Sequence, residues 1–407
     1  MQVNPLGRLL RPGDTILVGT GTGEPLALIE ALITAATELG QAARVRVIQV
    51  MTGGTERLAE ASGGALRVAT PVPGPKTRKA IAEGRVDLLS EPMSGLLRGI
   101  VSGSLRIDGV LLQGRALDRR HATPGLIADI MIPAWEKARF RALELNNCLP
   151  RIACDTPIEI ATADHVVHSS REPNELHEDP VSGEAARIGA FITELVPDGA
   201  TIELGVGRAL AGVVPALIKR RRNLAMHTGI VGNAAMRLIQ AGCVTRRVRG
   251  TAMAVGATAM GTHAYYAWAD DNPHIALVDS RLAHNSDHLA ALPSFVAINA
   301  ALQVDLQGNV NSTSHKGRVV SGVGGAGDFA QAGARGTASI IALCSTRPDG
   351  SSTLVPLVDA ISVPGRHVTH VVTEYGIACL RDEWGSERGR ASIALIAAQQ
   401  HRAALMG

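Results

Sequence analysis

Short runs of consecutive apolar residues, each closed by glycine or a polar turn, recur along the chain and alternate with longer stretches whose apolar residues fall at helical spacing. Thr15, Ile16, Leu17 and Val18 form the first run, which ends in the turn GTGTGEP at 19–25, and an apolar helix is predicted from there through Leu39. The next predicted strand covers 45–51 and is closed by Thr52, Gly53 and Gly54; further strands are predicted at 86–89 and 107–112. Parallel neighbours need a long crossover, usually a helix, so this alternation predicts parallel sheets with crossover helices.

Residues 169–183, SSREPNELHEDPVSG, carry no apolar period and include two prolines, as a linker would. The pattern then restarts with an amphipathic helix at 184–196, a turn at Pro197, Asp198 and Gly199, and a strand at 200–204 that runs into Gly205, Val206 and Gly207. Each half thus has an early strand, a glycine turn and a helix. The expected fold is α/β: two tandem open α/β domains with mostly parallel sheets, at 1–180 and 181–407.

Composition narrows the picture. At 407 residues the chain exceeds the size at which one core usually splits. Hydrophobic residues make up 46% and aromatics only 2%, so the core must be aliphatic, as buried parallel strands require. A net charge of +3 gives no reason to expect nucleic acid or an anionic membrane as partner. The basic run Lys219, Arg220, Arg221 and Arg222 reads as a helix end, where cations suit the dipole, or as a contact for a phosphate-bearing ligand. Five scattered cysteines without a CxxC argue against a disulfide framework and for a reducing, cytoplasmic setting. Neither a signal-peptide core nor an apolar run of about 20 residues is expected from the pattern.

Three glycine turns are candidates for chemistry: 19–23, 205–207 and the run GVGGAGDF at 322–329. Glycine lets backbone N–H groups approach an anion or oxyanion, and a following helix adds a favourable dipole. The first turn is spaced G-x-G-x-G and has no strand-end acid about 20 residues on, which argues against a dinucleotide site. His165 with His168, and His284 with His288, have spacings compatible with a metal, but nothing completes either set, so no metal is expected. A G-x-S-x-G elbow is absent from the sequence.

Several segments in order resemble the acetyl-CoA hydrolase/transferase family, which includes 4-hydroxybutyrate CoA-transferase: IELGVG at 202–207, MHTG at 226–229, AINAALQVDLQGNVN at 297–311, GGAGDF at 324–329, SIIAL at 339–343 and VVTEYGIACLR at 371–381. The N-terminal half matches more loosely, through GTGTGEP and LNNCLP at 145–150. The resemblance implies an active site in the cleft between two α/β domains, an acyl-CoA and a small carboxylic acid as substrates, no tightly bound cofactor, and a homodimer. It implies that Gly205, Val206, Gly207, Arg208 and Ala209 line the CoA site, completed by Asn299, Gly322 and Gly325. Arg208, His227 or Tyr375 would meet the acid's carboxylate.

Members of the family typically pass CoA through a glutamate that follows His-Thr and becomes a thioester. Here the motif is His227, Thr228 and Gly229, and glycine cannot form one. Glu203 stands where relatives place Gln, at a strand end suited to a buried carboxyl of raised pKa. It is the catalytic candidate, as relocated nucleophile or as base for water, against a purely structural carboxyl bonded to the turn's own amides. Glu374 and Asp328 rank below it. The expected function is an acyl-CoA:carboxylate CoA-transferase with altered mechanism; the alternatives are an acyl-CoA hydrolase with water in the space that Gly229 leaves and a non-catalytic CoA-binding relative.

Overall fold

Parallel pairing organises both halves of the protein. The computed structural model describes residues 5–52 and 54–406, so Gly53 of the predicted turn lies outside the described residues. Two compact units divide the chain, the first of residues 1–176 with 256–281, the second of residues 177–255 with 282–407. The fold is mixed α/β with mostly parallel sheets.

In the first unit the strands run in the order His165–Ser169, Phe140–Asn146, Gly109–Ala116, Thr15–Val18, Val45–Gln49, Leu66–Thr70 and Val86–Leu88, all parallel. The chain moves outward one way from Thr15–Val18 and then returns to build the other side. The turn after that strand therefore sits at the switch point, where parallel α/β sheets open a crevice. Ile16, Val18, Val45, Val47 and Val68 pack against Leu28 and Leu32 of the helix Leu26–Leu39. Each such aliphatic side chain contributes about 1.5–3 kcal/mol when fully buried. The segment 256–281 joins this unit through local pairing: Ile275–Leu277 lies parallel to Ala153–Cys154, and Ala128 N–H donates to the carbonyl of Ala257 at 3.0 Å.

The strand expected at 107–112 is Gly109–Ala116. Asp108 bonds to both neighbouring strands, its N–H donating to the carbonyl of Thr15 at 2.8 Å and its carbonyl accepting from Phe140 N at 3.1 Å, while pairing with Phe140–Asn146 carries the strand further along to Ala116.

In the second unit the order is Gly376–Cys379, His370–Thr373, Ala338–Ala342, Val296–Ala300, Thr201–Leu204 and Ala225–Gly232. All neighbours are parallel except the closing hairpin, His370–Thr373 with Gly376–Cys379. The chain leaves Thr201–Leu204 first to one side and later to the other, so its glycine turn again falls at the switch point. The helix Gly183–Leu195 starts where Ser182 Oγ accepts from Ala185 N at 3.2 Å, a standard N-cap. The basic run falls at the end of the helix Val213–Arg220, where the Arg222 guanidinium donates to the carbonyl of Ile218 at 2.9 Å. Among the described residues no helix is long and apolar enough to cross a membrane.

Candidate active site

The carboxyl ends of the second unit's central strands carry most of the residues singled out by sequence. Thr201–Leu204 is buried throughout, as a strand covered on both faces must be, yet it holds a glutamate. Glu203 is 2% exposed. Its Oε2 accepts from the backbone N–H of Ile298 at 3.2 Å and from Asn299 Nδ2 at 2.7 Å. Burial disfavours the charged form more than these two donors favour it, so the carboxyl is pushed up to about 8. Near pH 7 Glu203 is mostly a neutral acid.

The turn beyond it is shaped by the same neighbours. Gly205 N–H donates to the carbonyl of Ile298 at 2.8 Å, and a Cβ on Gly205 would stand 2.7 Å from Asn299 Oδ1. Gly207 adopts φ +146°, a region L side chains rarely enter, and a Cβ there would stand 2.9 Å from Ala300 Cβ. Val206, 65% exposed, projects from the turn with Arg208 also exposed, while Ala209 is buried. Gly205 and Asn299 thus meet directly, and Val206, Gly207 and Arg208 present an open loop.

On the adjacent strand, Ala225–Gly232, His227 and Gly229 are two residues apart and share a face. Thr228 faces the other way, and its Oγ1 donates to the carbonyl of Leu204 at 3.1 Å, fastening this strand to the one that bears Glu203. His227 is buried, neither ring nitrogen has a hydrogen-bond partner, and its ring centroid lies 5.6 Å from that of His288. A Cβ on Gly229 would stand at ordinary contact, 3.5 Å from Phe329 Cε2 and 3.9 Å from His284 Cε1.

The third glycine run completes this corner. Gly322 is buried in the approach to the helix Ala326–Arg335, and Gly325 occupies its N-cap. A Cβ on Gly325 would fall 2.4 Å from His284 Cε1 and 2.7 Å from its Nδ1, so the buried imidazole needs glycine there. His284 also packs on Phe329 with centroids 5.0 Å apart, and its Nδ1 lies 3.7 Å from Asp328 Oδ2. Burial and then the neighbouring His288, His284 and Arg249 push His227 down to about 3; burial, opposed by Asp328, pushes His284 down to about 4. Both rings are neutral near pH 7.

Elsewhere the expected candidates are anchored. Glu374 accepts from Ser345 N at 2.9 Å and Ser345 Oγ at 2.6 Å, which ties its turn to the bend after the strand Ala338–Ala342. Tyr375 is exposed. In the first unit, the amides of Ala27 and Leu28 at the start of the helix after GTGTGEP donate to Glu144 Oε2 at 2.9 and 3.4 Å. That helix N-terminus therefore already holds a carboxylate of its own chain. His165 and His168 lie three apart on one strand, so they face opposite sides. Among the described residues no group of three or more His, Cys, Asp or Glu stands ready to hold a metal ion.

In the sequence alone Asp328 ranks below Glu203, and His284 offers only a metal-compatible spacing with His288. The signal that joins them is the glycine directly before the helix, whose missing side chain makes room for a ring more than forty residues earlier in the chain.

The acetyl-CoA hydrolase/transferase N-terminal domain matches residues 1–176, and the C-terminal domain of the same family matches residues 261–407. The 4-hydroxybutyrate coenzyme A transferase of Clostridium kluyveri is 30% identical over 326 residues, covering 78% of this chain and 76% of that enzyme. The succinyl-CoA:acetate/propanoyl-CoA:succinate CoA transferase of Fasciola hepatica is 27% identical over 407 residues, covering 97% of this chain and 84% of that one. The crystal structure of RipA from Yersinia pestis superposes with a TM-score of 0.90 at 25% identity, covering 99% of this chain and 94% of that one.

Proposed function

The chain belongs to the acetyl-CoA hydrolase/transferase family, and on that premise we propose that it cleaves the thioester of a small acyl-CoA with water as the acceptor of the acyl group. One observation carries this reading: Gly229 leaves a space bounded by Phe329 and His284, at the place after His227 and Thr228 where the sequence resemblance implies a glutamate. Transfer through the enzyme needs a carboxylate to hold the acyl group while CoA waits to attack again. Glu203, mostly protonated near pH 7, is a weak nucleophile for that step. In this reading Gly205, Val206, Gly207, Arg208 and Ala209, with Asn299, Gly322 and Gly325, receive the acyl-CoA, which is substrate and not a resident cofactor. The enzyme is read as cytoplasmic, in keeping with five free cysteines, and as a homodimer on the family resemblance alone.

A second reading, an acyl-CoA:carboxylate CoA-transferase with Glu203 as relocated nucleophile, is favoured by the place of that carboxyl at the carboxyl end of its strand, one residue from the exposed turn. The names of the relatives favour it as well. Incubation with acetyl-, propionyl-, butyryl- and succinyl-CoA, with and without acetate, separates the two. Free CoA released without acetate supports hydrolysis; CoA exchange that requires acetate overturns it in favour of transfer. Tight CoA binding with neither outcome leaves a non-catalytic binder.

A further inference from the structure

A buried imidazole nitrogen without a partner costs on the order of 1–3 kcal/mol, so each one calls for an explanation. Three such nitrogens belong to two histidines of the second unit: both of His227 and Nδ1 of His284. They belong to side chains 1% and 5% exposed, and the His284 ring brings Cε1, the carbon between its two nitrogens, within 3.9 Å of where a Cβ on Gly229 would stand. His227 lies on the same face of the strand, two residues before Gly229. His284 reaches it from a loop, seated on Gly325 and Phe329.

We propose that the space beside Gly229 holds the attacking water, that His284 is the general base which takes its proton, and that Asp328 positions His284 for the task. The proposal rests on the hydrolase reading above and adds to it the group that does the proton transfer.

Asp328 Oδ2 faces His284 Nδ1 at 3.7 Å, slightly beyond a hydrogen bond. Catalytic hydrogen bonds are often long without substrate and tighten in its presence. A carboxylate on that side favours the tautomer with the proton on Nδ1, which leaves the Nε2 lone pair free to accept. His227 supplies a further donor or acceptor to the same water. The charged and titratable groups around the pair are Asp328, His227, His288 and Arg249.

The step balances without a further reagent. The water oxygen bonds to the thioester carbonyl carbon as its proton passes to His284 Nε2. The tetrahedral intermediate collapses, the C–S bond breaks, and the departing CoA sulfur takes the proton back from His284. The products are free CoA and a carboxylic acid, which releases its own proton to solvent.

The test uses the full chain with acetyl-, propionyl- and butyryl-CoA and follows CoA release in the absence of any carboxylic acid. His284→Gln is expected to lower kcat by about 100-fold or more, the usual range for loss of a general base, with KM little changed. His284→Ala is expected to regain release on addition of free imidazole, which a merely structural histidine would not show. Asp328→Asn is expected to fall between wild type and His284→Gln. Hydrolysis within about threefold of wild type in folded His284→Gln, or no response of His284→Ala to imidazole, overturns the base alone and leaves the hydrolase reading standing. A wild-type protein that releases no CoA without an acceptor overturns the hydrolase reading and the base with it.

Discussion

Asn299 donates through Nδ2 to Glu203 Oε2 at 2.7 Å, while its Oδ1 lies 2.7 Å from the point a Cβ on Gly205 would occupy. One amide thus couples a buried carboxyl to the turn assigned to CoA. Gly205→Ala must push this amide aside, and overpacking of this kind typically costs about 1–3 kcal/mol. The expected result is a folded, less stable protein with CoA affinity lowered at least tenfold, measured by denaturant unfolding and by calorimetric titration with CoA. Unchanged CoA affinity in that variant would remove Gly205 from the binding site.

Glu203 also makes stability depend on pH. Its carboxyl holds a proton up to about 8, whereas the unfolded chain loses it near 4.5. Between those values the folded state binds the extra proton, so this group's contribution to stability falls as pH rises from about 4.5 to about 8. Glu203→Gln keeps an amide in place of the neutral acid and removes the titration. Thermal unfolding at pH 5 and pH 8.5 is expected to show the variant gaining on wild type at the higher pH. A constant difference across that range would contradict a protonated Glu203.

His227 and His284 act in the opposite direction. The unfolded chain protonates them near 6.5, while the folded chain resists until about 3 and about 4 respectively. The unfolded state therefore binds more protons in that window, and stability rises with pH between about 4 and 6.5. His227→Phe is expected to lessen the loss of Tm between pH 7 and pH 5. An equal loss in wild type and variant would assign the acid sensitivity elsewhere.

Gly229 invites the reverse experiment. A Cβ there meets Phe329 and His284 only at ordinary contact distance, and the residue has no left-handed backbone to forbid a side chain. Gly229→Glu is expected to trap CoA as a glutamyl thioester on mixing with acyl-CoA, detected as a mass increase that hydroxylamine removes. It is also expected to confer transfer to acetate and to suppress hydrolysis by displacing water. The absence of any adduct in a folded Gly229→Glu protein would show that the carboxylate cannot reach the thioester from this position.

The alternation of elements was open to reading because each depends on local pattern. The helix Leu26–Leu39 ends at the predicted residue, and Gly40, with φ +78°, closes it. The helix Gly183–Leu195 and the strand Thr201–Leu204 lie within a residue of expectation. The far end of Gly109–Ala116 was not legible, since it is set by pairing with Phe140–Asn146, later in the chain. The site divides in the same way. Glu203 announced itself as a carboxyl at a strand end, and its burial followed. The environment of His284 did not, because its seat is made by Gly325 and Phe329 in a different element, and a four-residue histidine spacing suggests metal before it suggests packing. Gly325 looked like a backbone cradle; in the folded chain it is also the clearance for a ring.

The carboxylate of Glu144 that meets Ala27 and Leu28 has a consequence for biosynthesis. The helix it caps emerges from the ribosome early, but the cap arrives more than a hundred residues later, together with the strand that carries it. Contacts of such long sequence separation form slowly. A nascent chain stalled before residue 140 keeps that helix end unsatisfied and one side of its sheet unpaired, a species that chaperones and proteases would meet before any enzyme exists.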